Sequence, residues 1–123
     1  MAWATHTCIV SWDKKSIWGP GYSLSDINAV AVSPSERTLI TGEDDGCIRM
    51  FRYPAVGDEM QSLVFPGHSS AIQGIVFSHD ERYVLSVGGY DLCIFQWRHI
   101  ITDPQDRPHA SRHSAGPLGM RAD

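Results

Sequence analysis

The sequence predicts an all-β protein made of two four-stranded antiparallel sheets, stacked as neighbouring blades of a β-propeller. The first observation is an internal repeat: Ile27–Pro54 and Ile72–Arg98 match with a period of about 45 residues, which is that of a propeller blade. The second is that short runs rich in Val, Ile, Leu, Phe and Cys alternate with Gly, Pro, Ser and Asp, as strands and turns do. The third is that no helix-length amphipathic stretch is found. Because closed propellers have about 4 to 8 blades, two blades predict a partial propeller.

The two units align residue by residue, with one inserted residue in the second unit. Before the insertion, Ile27 is matched with Ile72 and Ser33 with Ser78. After it, the matched pairs are Gly42 with Gly88, Asp45 with Asp91, Ile48 with Ile94 and Phe51 with Trp97. This alignment predicts that both units have the same strand layout.

Each unit contains three runs with strand character, and a fourth strand is expected from the segment that precedes it. For blade one, about residues 3–54, the predicted strands are Thr5–Trp12, Asn28–Val32, Thr38–Gly42 and Cys47–Tyr53. For blade two, about residues 58–98, they are Met60–Phe65, Gln73–Phe77, Tyr83–Val87 and Leu92–Arg98. Turn residues separate them, and Asp45-Gly46 supplies the positive φ that a tight hairpin needs.

Composition narrows the classes of function. A net charge of −4 with no basic cluster argues against nucleic-acid binding, which needs phosphates to be neutralised. The three cysteines fit neither a metal knuckle nor a disulfide framework, and no apolar run is long enough to cross a bilayer. The expectation is a cytoplasmic protein with no cofactor, no metal and no membrane partner.

The second unit resembles a WD repeat. It has Gly67-His68 at its opening, Asp91 in its last turn and Trp97 at its close. The resemblance implies a buried hydrogen-bonded chain through a His, a Ser or Thr, an Asp and a Trp, but Val87 stands at the Ser/Thr position of the alignment. The chain is therefore expected to run directly from Asp91 to His68, with the Trp97 indole donating elsewhere.

The first unit is an atypical repeat by the same comparison. Thr41 and Asp45 match the WD pattern, whereas Ser23 stands in place of the His and Phe51 in place of the Trp. Apolar packing is expected to hold this blade more than a polar chain.

Finer features resemble one branch of the WD-repeat proteins. The strings WATHTC, IWGP, DINAV, TGEDDGCIRMFRYP, GHSSAIQ and SVGGYDLCIFQWR follow one another as in the last blades of the echinoderm microtubule-associated protein-like (EML) family. This resemblance spans roughly residues 3–98. It implies a non-catalytic scaffold for protein interactions that binds tubulin or microtubules and is associated with the cytoskeleton. The N-terminal coiled coil and basic stretch of that family do not occur in this sequence.

Two alternatives to this function remain open at the level of sequence. One is a WD-repeat adaptor for a partner other than tubulin. The other is a truncated or isoform fragment without independent function. Two blades leave their flanks bare, so self-association through those flanks is also expected.

The best candidate for a contact surface is the loop DKKSIWGPGYSLSD. Its Lys14, Lys15, Trp18 and Tyr22, with the neighbouring Trp12, combine cationic and aromatic side chains, as interface hot spots do. The alternative is that Trp18 packs beneath the loop.

Catalytic and metal sites have weaker support. His68 with Asp91 would be half of a catalytic triad, but the repeat explains both residues and no GxSxG elbow is present. The acidic run Glu43–Gly46 lacks the alternating ligands of a calcium loop, and His99, His109 and His113 follow no zinc spacing. Residues 99–123 are broken by Pro and Gly, which predicts a disordered tail.

Overall fold

The computed structural model describes residues 11–18, 25–56, 62–101 and 118–122. The elements are a 3-10 helix, Trp12–Trp18, and eight strands: β1 Ile27–Val32, β2 Thr38–Glu43, β3 Cys47–Arg52, β4 Leu63–Pro66, β5 Ile72–Phe77, β6 Tyr83–Gly88, β7 Ile94–Ile101 and β8 Leu118–Ala122. Within these ranges no helix has the length and apolar character needed to cross a bilayer.

The strands form two four-stranded antiparallel sheets, β1-β2-β3-β4 and β5-β6-β7-β8. The predicted all-β, partial-propeller fold is therefore confirmed. Both sheets have the same irregularity in register near the start of their first strand, between Ile27 and Ala29 and between Ile72 and Gly74. The repeat in the sequence is thus a repeat in backbone geometry.

The fourth strand of each sheet differs from the prediction. The sequence grouped Met60–Phe65 with the second blade, but β4 pairs with β3 of the first sheet, where Cys47 lies opposite Pro66. The pairing continues to Met50 opposite Leu63, so the sheet boundary falls after this segment and not before it. The predicted first strand, Thr5–Trp12, lies outside the described residues except for its end, where Trp12 begins the 3-10 helix.

The fourth strand of the second sheet comes from the C-terminal segment that was predicted to be a disordered tail. β7 continues to Ile101, and β8 pairs with it along Trp97–Ile101. The predicted disordered tail is thus corrected at residues 99–101 and 118–122, while residues 102–117 and Asp123 lie outside the described part. A short strand containing a glycine has little sequence signal, because its order comes from hydrogen bonds to a partner distant in sequence.

The turns that join the first two strands of each sheet are built alike. The hydroxyl of Ser33 accepts a hydrogen bond from the amide of Thr38 at 3.1 Å, and the hydroxyl of Ser78 accepts one from Tyr83 at 3.0 Å. Glu36 and Glu81 follow at φ 57° and 61°, in the left-handed region. The two turns also touch, since Ser35 donates from its amide and its hydroxyl to the carboxylate of Glu81.

The core lies between the sheets. Buried residues from both sheets meet there: Ile40, Ile48, Met50, Ile72, Phe77, Val84, Trp97 and Met120. A second cluster lies on the far side of the first sheet, where Ile17 of the 3-10 helix packs with Leu39, Phe51 and Ala55. Each face of the first sheet is therefore covered, one by the second sheet and one by the helix.

Candidate functional site

A chain of four side chains crosses the second sheet. Asp91, in the turn between β6 and β7, lies 2.7 Å from Nδ1 of His68, in the connection between β4 and β5. The other ring nitrogen, Nε2, lies 2.8 Å from Oγ of Ser86 on β6, and Nε1 of Trp97 on β7 donates to the same oxygen at 2.9 Å. The fold thus brings together His68, Asp91 and Trp97 through Ser86.

The donors and acceptors of this chain fit a single arrangement for a neutral imidazole. Because Ser86 Oγ accepts the indole N–H, its own proton is left to donate to Nε2 of His68. The ring proton then sits on Nδ1 and points to the Asp91 carboxylate. Every polar atom along the chain has a partner, which is what burial demands.

The carboxylate end is held by more than the histidine. Burial opposes ionisation of Asp91, but hydrogen bonds from the Cys93 amide, the His68 ring and the Ser69 amide outweigh it and lower the pKa of the carboxyl. The Asp91 amide in turn donates to Ser70 Oγ at 3.1 Å. Asp91 therefore fixes the turn as well as the histidine.

Ser86 corrects the expectation that the Ser/Thr link is missing. In the first sheet Thr41 lies opposite Val30, and in the second Ser86 lies opposite Ile75, so Ser86 is the counterpart of Thr41. The sequence alignment had put Val87 there, because it placed the inserted residue before the second strand. The insertion instead falls in the following turn, and the chain does not run only from Asp91 to His68.

The order Asp91, His68, Ser86 is that of a catalytic triad, yet the geometry is structural. Ser86 is fully buried, and its oxygen accepts the Trp97 indole proton. A serine nucleophile must present its oxygen to a substrate, with donors nearby to stabilise the oxyanion. Ser86 Oγ is instead buried and hydrogen-bonded to both His68 and Trp97, so it is not presented to a substrate.

The first sheet has a different polar group at the same place. Glu43 is fully buried, its Oε1 lies 2.8 Å from Nε of Arg49, and the hydroxyl of Thr41 donates to it at 3.4 Å. Burial raises the pKa of Glu43, and the hydrogen bond and positive charge of Arg49 oppose that rise. Oε2 of Glu43 has no hydrogen-bond partner among the described residues.

Asp45 and Phe51, the other WD-repeat positions predicted for the first sheet, occupy the places there that Asp91 and Trp97 occupy in the second. Asp45 accepts a hydrogen bond from the Cys47 amide at 2.9 Å, as Asp91 does from Cys93. Its own amide donates to Ser25 Oγ. Phe51 is buried opposite Leu39, as Trp97 is opposite Val84, and Ser23 lies outside the described residues.

The alternative metal sites find no support in the described residues. No group of three or more His, Cys, Asp and Glu side chains there is arranged to hold an ion. In the acidic run Glu43–Gly46, Glu43 faces Arg49, Asp44 accepts from Asn28 and Asp45 caps the turn. His99 is buried with Nδ1 2.8 Å from the carbonyl oxygen of Glu81, whereas His109 and His113 lie outside the described part.

The candidate contact loop is partly a 3-10 helix fixed against the first sheet. The Ser16 amide donates to the carbonyl of Ala55 at 2.7 Å, and the Ala55 amide donates to that of Asp13 at 2.8 Å. Lys15 and Trp18 are exposed, but Lys14 is 3% exposed, so its side chain is not presented to a partner.

A further aromatic residue belongs to this exposed group. Trp12 is 71% exposed, and the Lys15 ammonium lies 5.1 Å from the centroid of its ring. The predicted contact residue Tyr22 falls outside the described residues. We refer to Trp12, Lys15 and Trp18 as the helix patch.

Comparison with known proteins gives consistent matches. The family described as the echinoderm microtubule-associated protein second beta-propeller matches residues 1–99. Mouse echinoderm microtubule-associated protein-like 3 is 35% identical over 96 residues, covering 78% of this chain and 11% of that protein. Rat echinoderm microtubule-associated protein-like 2 is 38% identical over 96 residues, covering 78% and 15%, and human echinoderm microtubule-associated protein-like 1 is 36% identical over 98 residues, covering 80% and 12%. The chain spans 11 to 15% of the length of these relatives.

Proposed function

Because this chain belongs to the echinoderm microtubule-associated protein-like family, we propose that it is a protein-interaction scaffold that binds tubulin or microtubules through its exposed surface. The observation that carries this proposal is the match of residues 1–99 to a propeller of that family. The relatives it resembles are named as microtubule-associated proteins. A cytoplasmic location beside the cytoskeleton accompanies the proposal.

The polar chain of the second sheet supports a scaffold. Its members use one another as hydrogen-bond partners, from Asp91 through His68 and Ser86 to Trp97. Because these four side chains are hydrogen-bonded to one another, we assign them the role of fixing the fold. We therefore look to exposed surface residues for the binding of a partner protein.

The helix patch is the part of that surface we assign to the partner. Aromatic and cationic side chains supply large contact area and charge together, which is why they dominate binding energy at interfaces. The backbone beneath Lys15 and Trp18 is held by hydrogen bonds to Ala55, so little order has to be gained on binding. A negatively charged protein surface is the complement that Lys15 favours.

Two assays separate binding to the polymer from binding to its subunit. The full chain is pelleted with polymerised microtubules, and in parallel it is captured with soluble tubulin. Enrichment in either assay supports the proposal, and absence of enrichment in both contradicts it. Lys15 is exposed and Trp12 is 71% exposed, so Lys15→Glu and Trp12→Ala are expected to reduce binding with little change in the melting temperature.

Matched controls keep this test specific. Arg82→Glu reverses an exposed charge on the second sheet, and Tyr90→Ala removes an aromatic ring that is 92% exposed at a distant turn. Both controls are expected to bind as the unmodified chain does. Equal losses in the controls and in the helix-patch variants would contradict the assignment of this patch, while leaving binding by the chain itself intact.

A further inference from the structure

We propose that the edge of β7 along residues 97–101 is a binding site for an extended strand of a partner protein, and that β8 occupies this site in the single chain. We refer to the edge of residues 97–101 as the strand seat. A partner segment that lies antiparallel to β7 takes the place of β8 there. The strand seat belongs to the second sheet and the helix patch is fixed against the first, so this inference does not rest on tubulin binding.

The strand seat differs from the place that β4 takes in the first sheet. β4 pairs with residues 47–50 of β3. By position in the ladders, Ile94 is the counterpart of Ile48, so the matching part of the second sheet is residues 93–96. β8 pairs instead with residues 97–101, which come next along β7, and it lies outside the residues that match the family. The repeat therefore does not account for this pairing.

The side chain of Met120 anchors β8 in the strand seat. It lies opposite His99, is 8% exposed and packs in the same cluster as Phe77 and Trp97. When an extended segment joins the edge of a sheet, backbone hydrogen bonds supply affinity and alternate side chains supply selectivity. The residue opposite His99 is therefore the one that selects among strands.

The imidazole of His99 indicates which side chain the strand seat prefers. Nδ1 lies 2.8 Å from the carbonyl oxygen of Glu81, so this nitrogen carries the proton and donates it. Nε2 is then an acceptor, and it is buried with no hydrogen-bond partner among the described residues. The thioether of Met120 has no proton to donate. A strand with glutamine at this position has a side chain of similar length with an amide N–H, so it fits the strand seat better than β8 does.

β8 holds the strand seat against weak competitors because it belongs to the same chain. It is joined to β7 by residues 102–117. A linked segment competes as if it were present at an effective concentration on the order of millimolar. The unpaired Nε2 atom of His99 acts in the opposite direction, since a buried polar atom without a partner costs stability. A better-matched strand therefore displaces β8, whereas an unrelated strand does not.

The test titrates a fluorescently labelled peptide of residues 116–123 into the full chain and measures its anisotropy. In Met120→Lys, seating of the chain's own β8 would bury an ammonium group without a partner, so the strand seat is vacated. The peptide is expected to bind this variant at least about tenfold more tightly than it binds the unmodified chain. Leu92→Lys is the matched control, because it adds the same charge at a residue that is 90% exposed and should leave peptide binding unchanged.

A second peptide tests the part played by His99. The same peptide with Met120→Gln is expected to bind the Met120→Lys chain about threefold more tightly than the first peptide does, because its amide donates to Nε2. This preference should disappear when the chain also carries His99→Phe. Equal binding of the two peptides to the Met120→Lys chain would overturn the preference assigned to Nε2.

Two results would overturn the strand seat itself. One is equal affinity of the first peptide for the Met120→Lys chain and the unmodified chain, and the other is no binding to either. If Met120→Lys lowers the melting temperature, hydrogen exchange of the unmodified chain replaces it. An excess of the glutamine peptide is expected to speed exchange at residues 118–122 while the amides of β7 stay protected, and unchanged exchange at residues 118–122 would refute displacement.

Discussion

Glu43 and Gly88 occupy the same place in the two sheets. The first sheet has a long acidic side chain there and the second sheet has none, and each sheet has a different buried polar group beside this position. They close β2 and β6, and Ile27 and Ile72 are their partners in the adjacent strands. At Gly88 a Cβ atom would stand 1.9 Å from Oδ1 of Asp91, so only the absence of a side chain admits that carboxylate and its histidine. At Glu43 a side chain is present, and Arg49 lies beside it in place of an aromatic ring.

Replacement of Gly88 tests this relationship directly. Gly88→Ala is expected to lower the free energy of unfolding by about 2 kcal/mol or more, because the new methyl group displaces Asp91 and breaks its bond to His68. Urea denaturation of the full chain measures it. Gly74→Ala is the control, since its Cβ meets nothing within 4 Å, and equal losses in the two variants would refute the explanation.

Removal of the histidine ring separates a structural role from a catalytic one. His68→Ala removes one hydrogen-bond partner of Asp91 and the acceptor of the buried Ser86 hydroxyl proton, so the free energy of unfolding should fall by roughly 1 to 3 kcal/mol. Thermal melts measure the loss, and His79→Ala, at an exposed residue, should lie within about 0.5 kcal/mol of the unmodified chain. An unchanged melting temperature in His68→Ala would contradict the buried chain.

Substitutions at two neighbouring residues of β6 test which of them joins the hydrogen-bonded chain: Ser86, as the structure shows, or Val87, as the sequence alignment predicted. Ser86→Ala removes the oxygen that joins His68 to Trp97 and should destabilise the fold by about 1 to 3 kcal/mol. Val87→Ser changes an exposed side chain and should have an effect within about 0.5 kcal/mol. Indole fluorescence during denaturation reports both. A larger effect at residue 87 than at residue 86 would reverse the assignment.

The buried ion pair of the first sheet predicts a pH dependence. Arg49→Met leaves the Glu43 carboxylate without its cation and should cost about 3 kcal/mol at neutral pH. The folded pKa of Glu43 is raised, so the folded chain holds the proton to higher pH than the unfolded chain does. The contribution of Glu43 to stability is therefore present below its unfolded pKa and is lost as pH rises through the folded one.

Denaturation of the Arg49→Met variant across a pH series checks this sign. The loss of the cation raises the pKa of Glu43 further, so the deficit against the unmodified chain should shrink as the pH is lowered and the carboxyl is protonated. The double variant with Glu43→Gln should recover part of the deficit at neutral pH. A deficit that is constant with pH would show that Arg49 acts only through packing.

Local signals in the sequence were sufficient for the fold class and for most of the polar positions. The repeat of Ile27–Pro54 in Ile72–Arg98 and the turn residues between apolar runs require no knowledge of distant contacts. His68, Asp91 and Trp97 could be selected together because the second unit resembles a WD repeat, which has these residue types at these places. The ion pair of Glu43 and Arg49 could also have been predicted, because an acidic residue ends an apolar strand and an arginine lies on the following strand.

The pairing of the strands and the face of the sheet on which each side chain lies were, in contrast, decided by the tertiary structure. In a strand the side chains alternate between faces, so an alignment shifted by one residue exchanged buried Ser86 for exposed Val87. β4 pairs within the first sheet and β8 within the second. Such pairing depends on which strand lies beside which in the folded chain, and local sequence does not determine that. The sequence by itself determined which segments become strands and turns, since those are set by propensities within a few residues. Only the packing of one sheet on the other, and of Ile17 on the first, decided which faces are buried and which one is left open.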